Sequence, residues 1–150
     1  MDPVGFTAAH TETVLDAPPE RVWAVLADMA GWNAWNPTLF DVGGPAQEGT
    51  NVRMKLRMGR LTVPMRQEIR TVDPPRELAW RSRQAWPAAF DVVRRFVLEP
   101  MDGGRTRLIQ TETATGFLAR PIVAVIGGMV TEGYEELGRA LARRLTEEGR

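Results

Sequence analysis

The chain has no cysteine, one histidine (His10), one lysine (Lys55), one serine (Ser82) and one tyrosine (Tyr134) in 150 residues. Without cysteine there are no disulfides, no thiol catalysis and no cysteine-ligated metal. The lone histidine has no carboxylate at a ligand-like spacing, so no metal and no cofactor are expected. His10 itself suits a surface or strand-edge position. Ser82 lacks the Gly-x-Ser-x-Gly turn of a nucleophile elbow. The stretch MDGGRT lacks the strand-to-helix context of a phosphate loop and reads as a turn. Formal net charge is zero, from 19 basic and 19 acidic residues, leaving no cationic surplus for a nucleic-acid partner. No apolar run approaches the roughly 18 residues of a membrane span. The longest, 121–130, is interrupted by Gly127 and Gly128. With no apolar signal core at the N-terminus, a cytoplasmic protein without integral membrane association is expected.

What is present is ordinary for a globular protein: 43% apolar and 25% charged residues. The length suits a single domain over 1–150, large enough to bury roughly 68–70% of its unfolded surface. Residues 7–15 read as a strand. Pro18 and Pro19 then fit the first turn of a helix. Val22, Trp23, Val25 and Leu26 continue it at helical spacing to near Asp28. GWNAWNP, 31–37, forms a short second helical piece that Pro37 stops.

Beyond Pro37 the period changes to two. Val52, Met54, Leu56 and Met58 form one set; Leu61, Val63, Met65, Gln67 and Ile69 the next. Leu78, Trp80 and Ser82 follow, then Phe90, Val92, Arg94, Phe96 and Leu98, then Leu108, Gln110 and Glu112. Short turns join these runs, so they predict an antiparallel meander with one apolar face and one charged face. The charged face includes Arg53, Lys55, Arg57, Arg60, Arg66 and Arg70, which fit a solvated sheet surface. From 118 to about 148, Ile122, Val125, Ile126, Met129, Val130, Gly133, Leu137, Ala140, Leu141 and Leu145 make an apolar helical stripe. Tyr134, between Glu132 and Glu135, fits the amphipathic surface of this helix, the alternative being a position facing the mouth of an interior cavity. The fold class is α+β: a curved antiparallel sheet around a long C-terminal helix, with two short helices after the first strand.

Two features point to chemistry. The inward set is rich in adaptable methionine, and Gly127, Gly128 and Gly133 remove side chains from the covering helix. Each glycine costs up to about 1 kcal/mol of helix propensity, so either space or close approach is required there. Arg94, Gln110 and Glu112 also interrupt an apolar register. Arg94 and Glu112 lie on consecutive strands, within reach as cross-strand or diagonal neighbours. They form either a polar group inside an apolar pocket or a structural ion pair at a strand end.

APPERVWAVLADMAGWNAWNP, VDPPRELAW and GRTRLIQTETATGFL resemble, in this order, the three characteristic stretches of the SRPBCC superfamily, and the resemblance is nearest to its polyketide cyclase/dehydrase-like group. This helix-grip superfamily includes START domains and birch-pollen-allergen-like proteins. The resemblance covers about residues 8–145. It implies a cavity between sheet and long helix that takes a small hydrophobic ligand, and it carries over no catalytic residue. Candidate ligand-binding residues are Trp35, Met54, Leu56, Met58, Met65, Trp80, Phe90, Arg94, Phe96, Gln110, Glu112, Met129 and Gly133. Trp35 would close one end of the interior, unless both Trp32 and Trp35 are simple core lids. The principal expectation is a module binding a lipid, aromatic or polyketide-like metabolite. The alternatives are a cyclase/dehydrase using Arg94 or Glu112 in proton transfer, and an interaction module resembling the activator of heat-shock ATPase, with a filled interior. A homodimer is compatible with the sequence.

Overall fold

A computed structural model describes residues 5–44, 46–82, 86 and 88–148. The chain runs β1 (Phe6–Leu15), α1 (Pro19–Ala27), a 3-10 helix (Met29–Ala34), β2 (Leu39–Gly43), β3 (Asn51–Met58), β4 (Leu61–Asp73), β5 (Glu77–Ser82), β6 (Asp91–Met101), β7 (Arg105–Thr115) and α2 (Ala119–Glu148). The seven strands form one curved antiparallel sheet in the order β1-β7-β6-β5-β4-β3-β2. α1 and the 3-10 helix thus carry the chain from one sheet edge to the other, and β3 to β7 return to pair with β1. This is the expected helix-grip α+β fold. A loop over 85–89, which the stretch AWPAA predicts, lies partly outside the described residues, and Arg83 lies outside them.

The tryptophan-rich segment is explained by what its neighbours do. Trp32 is fully buried, and its indole Nε1 donates to the Leu26 carbonyl at 3.0 Å. Its ring meets Trp80 at 5.8 Å and Phe96 at 6.1 Å between centroids, while Trp80 and Phe96 are 5.2 Å apart. These are favourable tilted and edge contacts. The flanking amides supply the polar partners the turn needs. Asn36 Oδ1 accepts from Thr38 N, Thr38 Oγ1 and Leu39 N, each at 3.0 Å. Asn33 Oδ1 accepts from Val42 N at 3.0 Å. Asn36 therefore starts β2 and Asn33 ties the 3-10 helix to it.

β2 is an addition to the elements expected from the sequence. Asp41 adopts a left-handed φ of 51°, and the β2–β3 register shifts between Phe40 and Gly43. Buried Leu39 and Val42 are consequently three apart, and no period-two signal survives. In β1 a register shift between Thr7 and Ala9 moves the inward parity. Phe6 and Ala8 pack in a small cluster with Val92, Ala114 and Ala119, whereas Ala9, Thr11 and Leu15 are buried beyond the shift.

The core fills only one end of the grip. Leu137, Leu141 and Leu145 of α2 are buried with Leu15, Leu26, Trp32, Met54 and Phe96. Gly138 makes the close approach: a Cβ there would lie 2.5 Å from Thr13 Oγ1 on β1. The N-terminal half of α2 buries its stripe less completely. Val125 is 78% and Met129 41% exposed. On the sheet's other face, Lys55 pairs with Asp41 at 2.9 Å and Arg70 with Glu68 at 3.0 Å, both partly in solvent.

Candidate functional site

Strand parity determines which side chains face α2, and the tapering contact between helix and sheet determines which of these stay uncovered. The result is a cavity of about 180 Å³ between the sheet and the N-terminal half of α2. Its sheet wall includes Leu56 and Met58 of β3, Met65 of β4, Trp80 of β5 and Arg94 of β6, with Phe90 just before β6. Its helix wall includes Ile126, Met129, Val130, Gly133 and Tyr134. Met129 is both a wall residue and substantially exposed, which sets the open side at this half of the helix. Gly133 has no heavy atom within 4 Å of where a Cβ would stand, and it lines the cavity. Of the helix glycines, Gly133 therefore supplies space, and Gly138, not singled out in the sequence, supplies close packing.

The polar end is built on three elements. Arg94 and Glu112 are directly paired across β6 and β7. Arg94 is 5% exposed, and its Nη2 donates to Gln110 Oε1 at 2.7 Å. Gln110 Nε2 in turn donates to the Tyr134 carbonyl at 2.9 Å, locking strand to helix. The guanidinium carbon stands 3.8 Å from the Tyr134 ring centroid, 4.7 Å from Phe96 and 5.7 Å from Trp80. The Tyr134 hydroxyl donates to Glu112 Oε1 at 3.2 Å. A second polar pair borders the cavity, where Ser82 Oγ donates to Gln67 Oε1 at 2.7 Å.

Burial sets the electrostatics. It raises Glu112 above the ordinary carboxyl value, against the opposing pull of Arg94 and of the Tyr134 hydrogen bond. It also raises Tyr134 well above the ordinary phenol value, with Arg94 opposing and Glu112 adding to the rise. Burial lowers Arg94, and Tyr134 and Glu112 counter that. Tyr134 is thus a neutral hydrogen-bond donor at neutral pH. Among the described residues, no group of three His, Asp or Glu side chains is gathered to hold a metal ion.

Four of the candidate residues lie elsewhere. Trp35 is half-buried against the core and borders a separate surface depression with Asp28, Gly31 and Arg144. It does not close the cavity. Met54 and Phe96 face inward but lie in the filled end of the core. Gln110 is fully buried behind Arg94. Parity gives the face of a side chain but not its height along the strand, which is why Met54, Phe96 and Gln110 were grouped with the wall; Trp35 entered through the family resemblance. The opposite error concerns Tyr134. It is 4% exposed and lines the cavity, so its expected surface position is corrected. It stands four residues after Val130 and three before Leu137, on the same stripe, and that spacing was the available signal. Gln67 and Ser82 also carried the inward parity.

A family model described as polyketide cyclase / dehydrase and lipid transport matches residues 7–146. No match was found among curated proteins. Several solved structures share the fold. The Zhui aromatase/cyclase from Streptomyces sp. R1128 is 20% identical, with 98% of this chain and 97% of that one covered at a TM-score of 0.75. A START superfamily protein from Mycobacterium smegmatis is 16% identical, covering 93% and 97% at 0.74. A point mutant of norcoclaurine synthase from Thalictrum flavum, in complex with a transition-state analogue, is 12% identical, covering 100% and 99% at 0.73.

Proposed function

Because this chain belongs to the polyketide cyclase / dehydrase and lipid transport family, we propose that it binds a small hydrophobic or aromatic molecule between its sheet and α2. The observation that carries this reading is the uncovered apolar volume with one polar end. Met58, Met65, Trp80, Phe90 and Met129 surround it, and Arg94, Glu112 and Tyr134 sit together on one side. Apolar burial at about 25 cal/mol per Å² drives binding, and the polar end orients the guest. The size is a constraint. An apolar cavity of about 150 Å³ holds a benzene ring, so 180 Å³ accommodates one ring or a short acyl segment. A longer molecule would extend past Met129 into solvent. The cavity counts against an interaction module with a filled interior.

Native mass spectrometry of protein purified from its source tests this reading. A co-purified small molecule, lost when Gly133 is replaced by Phe, is the expected result. Consistent absence of any bound molecule, together with no binding of aromatic probes, would contradict it.

A cyclase or dehydratase activity is the second reading, favoured by the contact of Tyr134 with Glu112. Glu112 would take a proton from a carbon next to a carbonyl, and the neutral Tyr134 hydroxyl or Arg94 would stabilise the resulting enolate oxygen. Its test is deuterium exchange from solvent into a β-keto ester probe, catalysed by the native protein and lost in Glu112→Gln.

A further inference from the structure

Resting on the reading of a ligand cavity, we infer that the molecule bound there carries an anionic oxygen group, a carboxylate in the simplest case, that docks on Arg94. The structure encloses a guanidinium with no carboxylate in direct contact, Glu112 acting on its charge only at longer range. Arg94 is 5% exposed, and its Nη2 bond goes to a neutral amide, Gln110. Its Nε is enclosed with no hydrogen-bond partner. Among the described residues, no carboxylate oxygen lies within 4 Å of its nitrogens, whereas the neighbouring arginines do form such pairs, Arg81 with Asp91 and Arg95 with Glu77. Glu112, the cross-strand partner, instead accepts from the Tyr134 hydroxyl.

A buried charge left unpaired is among the costlier features a protein can carry. Three aromatic faces, of Tyr134, Phe96 and Trp80, offset part of that cost without supplying an acceptor. A guanidinium has five N–H donors and no way to lose its charge. Arg94 also borders the cavity. A neutral carbonyl arriving there would satisfy a donor but not the charge. A carboxylate satisfies both, and hydrogen bonds between ionised partners are roughly twice as strong as neutral ones.

The neighbouring carboxyl does not forbid an anion. Burial raises the Glu112 carboxyl above its ordinary value, and an anion docked on Arg94 would raise it further, lessening the repulsion between the two acids. The groups facing Glu112 are Arg94 from β6 and Tyr134 from α2, and Tyr134 remains a neutral donor. The chemical class is therefore a one-ring or short-chain organic acid with its apolar body against Met58, Met65 and Met129.

Titration calorimetry with three probes of nearly equal shape tests this: 3-phenylpropionate, 3-phenylpropionamide and 3-phenyl-1-propanol. Native protein is expected to bind the carboxylate about ten-fold or more tighter than either neutral probe. Arg94→Gln should reduce that ratio to near one, and Arg94→Lys should retain a preference for the carboxylate. If the three probes bind native protein equally, or a neutral probe binds tightest, the anion inference is overturned while the cavity reading stands. An unchanged ratio in a folded Arg94→Gln protein overturns it as well. If Arg94→Gln does not fold, the preference in native protein and in Arg94→Lys decides. If none of the three binds up to about 10 mM, the cavity reading fails and the inference with it.

Discussion

Gly133 and Gly138 are five residues apart on one helix, and the structure gives them opposite responses to the same methyl group. At Gly133 a Cβ meets nothing within 4 Å. Gly133→Ala therefore gains the helix propensity difference of about 0.8–1 kcal/mol with no steric cost. For a domain of this size that raises Tm by about 2–4 °C. At Gly138 a Cβ would stand 2.5 Å from Thr13 Oγ1 and 3.3 Å from Thr13 Cβ. Helix and strand must separate, and overpacking of this kind costs about 1–3 kcal/mol. The propensity gain offsets at most about 1 kcal/mol of it. Gly138→Ala should thus be neutral to about 2 kcal/mol less stable, and it should never match Gly133→Ala. Differential scanning calorimetry on both variants, read beside Gly133→Phe, completes the experiment. The phenyl ring enters the cavity, so Gly133→Phe should remain folded and lose affinity for 3-phenylpropionate by about ten-fold or more. A Tm for Gly133→Ala below that of native protein would show that the space beside Gly133 is already filled, and the reasoning would be wrong. Undiminished binding by Gly133→Phe would refute the location of the guest.

Three further outcomes follow from particular contacts. Asn36→Ala removes an acceptor shared by Thr38 N, Thr38 Oγ1 and Leu39 N in a buried turn, and urea denaturation should show a loss of about 1–3 kcal/mol. Trp32→Ala empties the centre of the aromatic cluster and should cost about 3–5 kcal/mol by the same measurement. The Glu112 carboxyl is raised in the folded state, so the native protein holds that proton more tightly than the unfolded chain. Its stability contribution is then complete below the unfolded value near 4.5 and is lost as pH rises through the higher folded value. Glu112→Gln should abolish this decline, becoming more stable relative to native protein as pH rises through that window, in thermal melts from acidic to neutral pH.

Much of the fold was legible because its strands alternate cleanly. β3, β5, β6 and β7 each place their apolar or inward-polar residues on one parity, and α2 carries one continuous stripe. Legibility failed where the backbone departs from regularity. β2 is invisible to period two because Asp41 bulges it, and β1 shows no dominant face because its parity changes between Thr7 and Ala9. For the site, parity placed Leu56, Met58, Met65 and Trp80 on the correct face, together with Arg94 and Glu112. It could not distinguish them from Met54 and Phe96, because depth along the grip depends on how far α2 stands from the sheet. That distance is set by Gly138 at one end and left open by Gly133 at the other. Tyr134 was misread because its acidic sequence neighbours suggested a wet surface, although its own position lies on the buried stripe.

The methionines offer the most direct measurement. Met58, Met65 and Met129 line the cavity, Met29 and Met54 are buried in the core, and Met101 ends β6 far along the sheet. With 13C-labelled methionine methyl groups, titration of 3-phenylpropionate should produce saturable chemical-shift changes at Met58, Met65 and Met129, with Met29, Met54 and Met101 unmoved. Stationary signals from the three cavity methyls at saturating probe, or changes confined to the other methionines, would contradict the account.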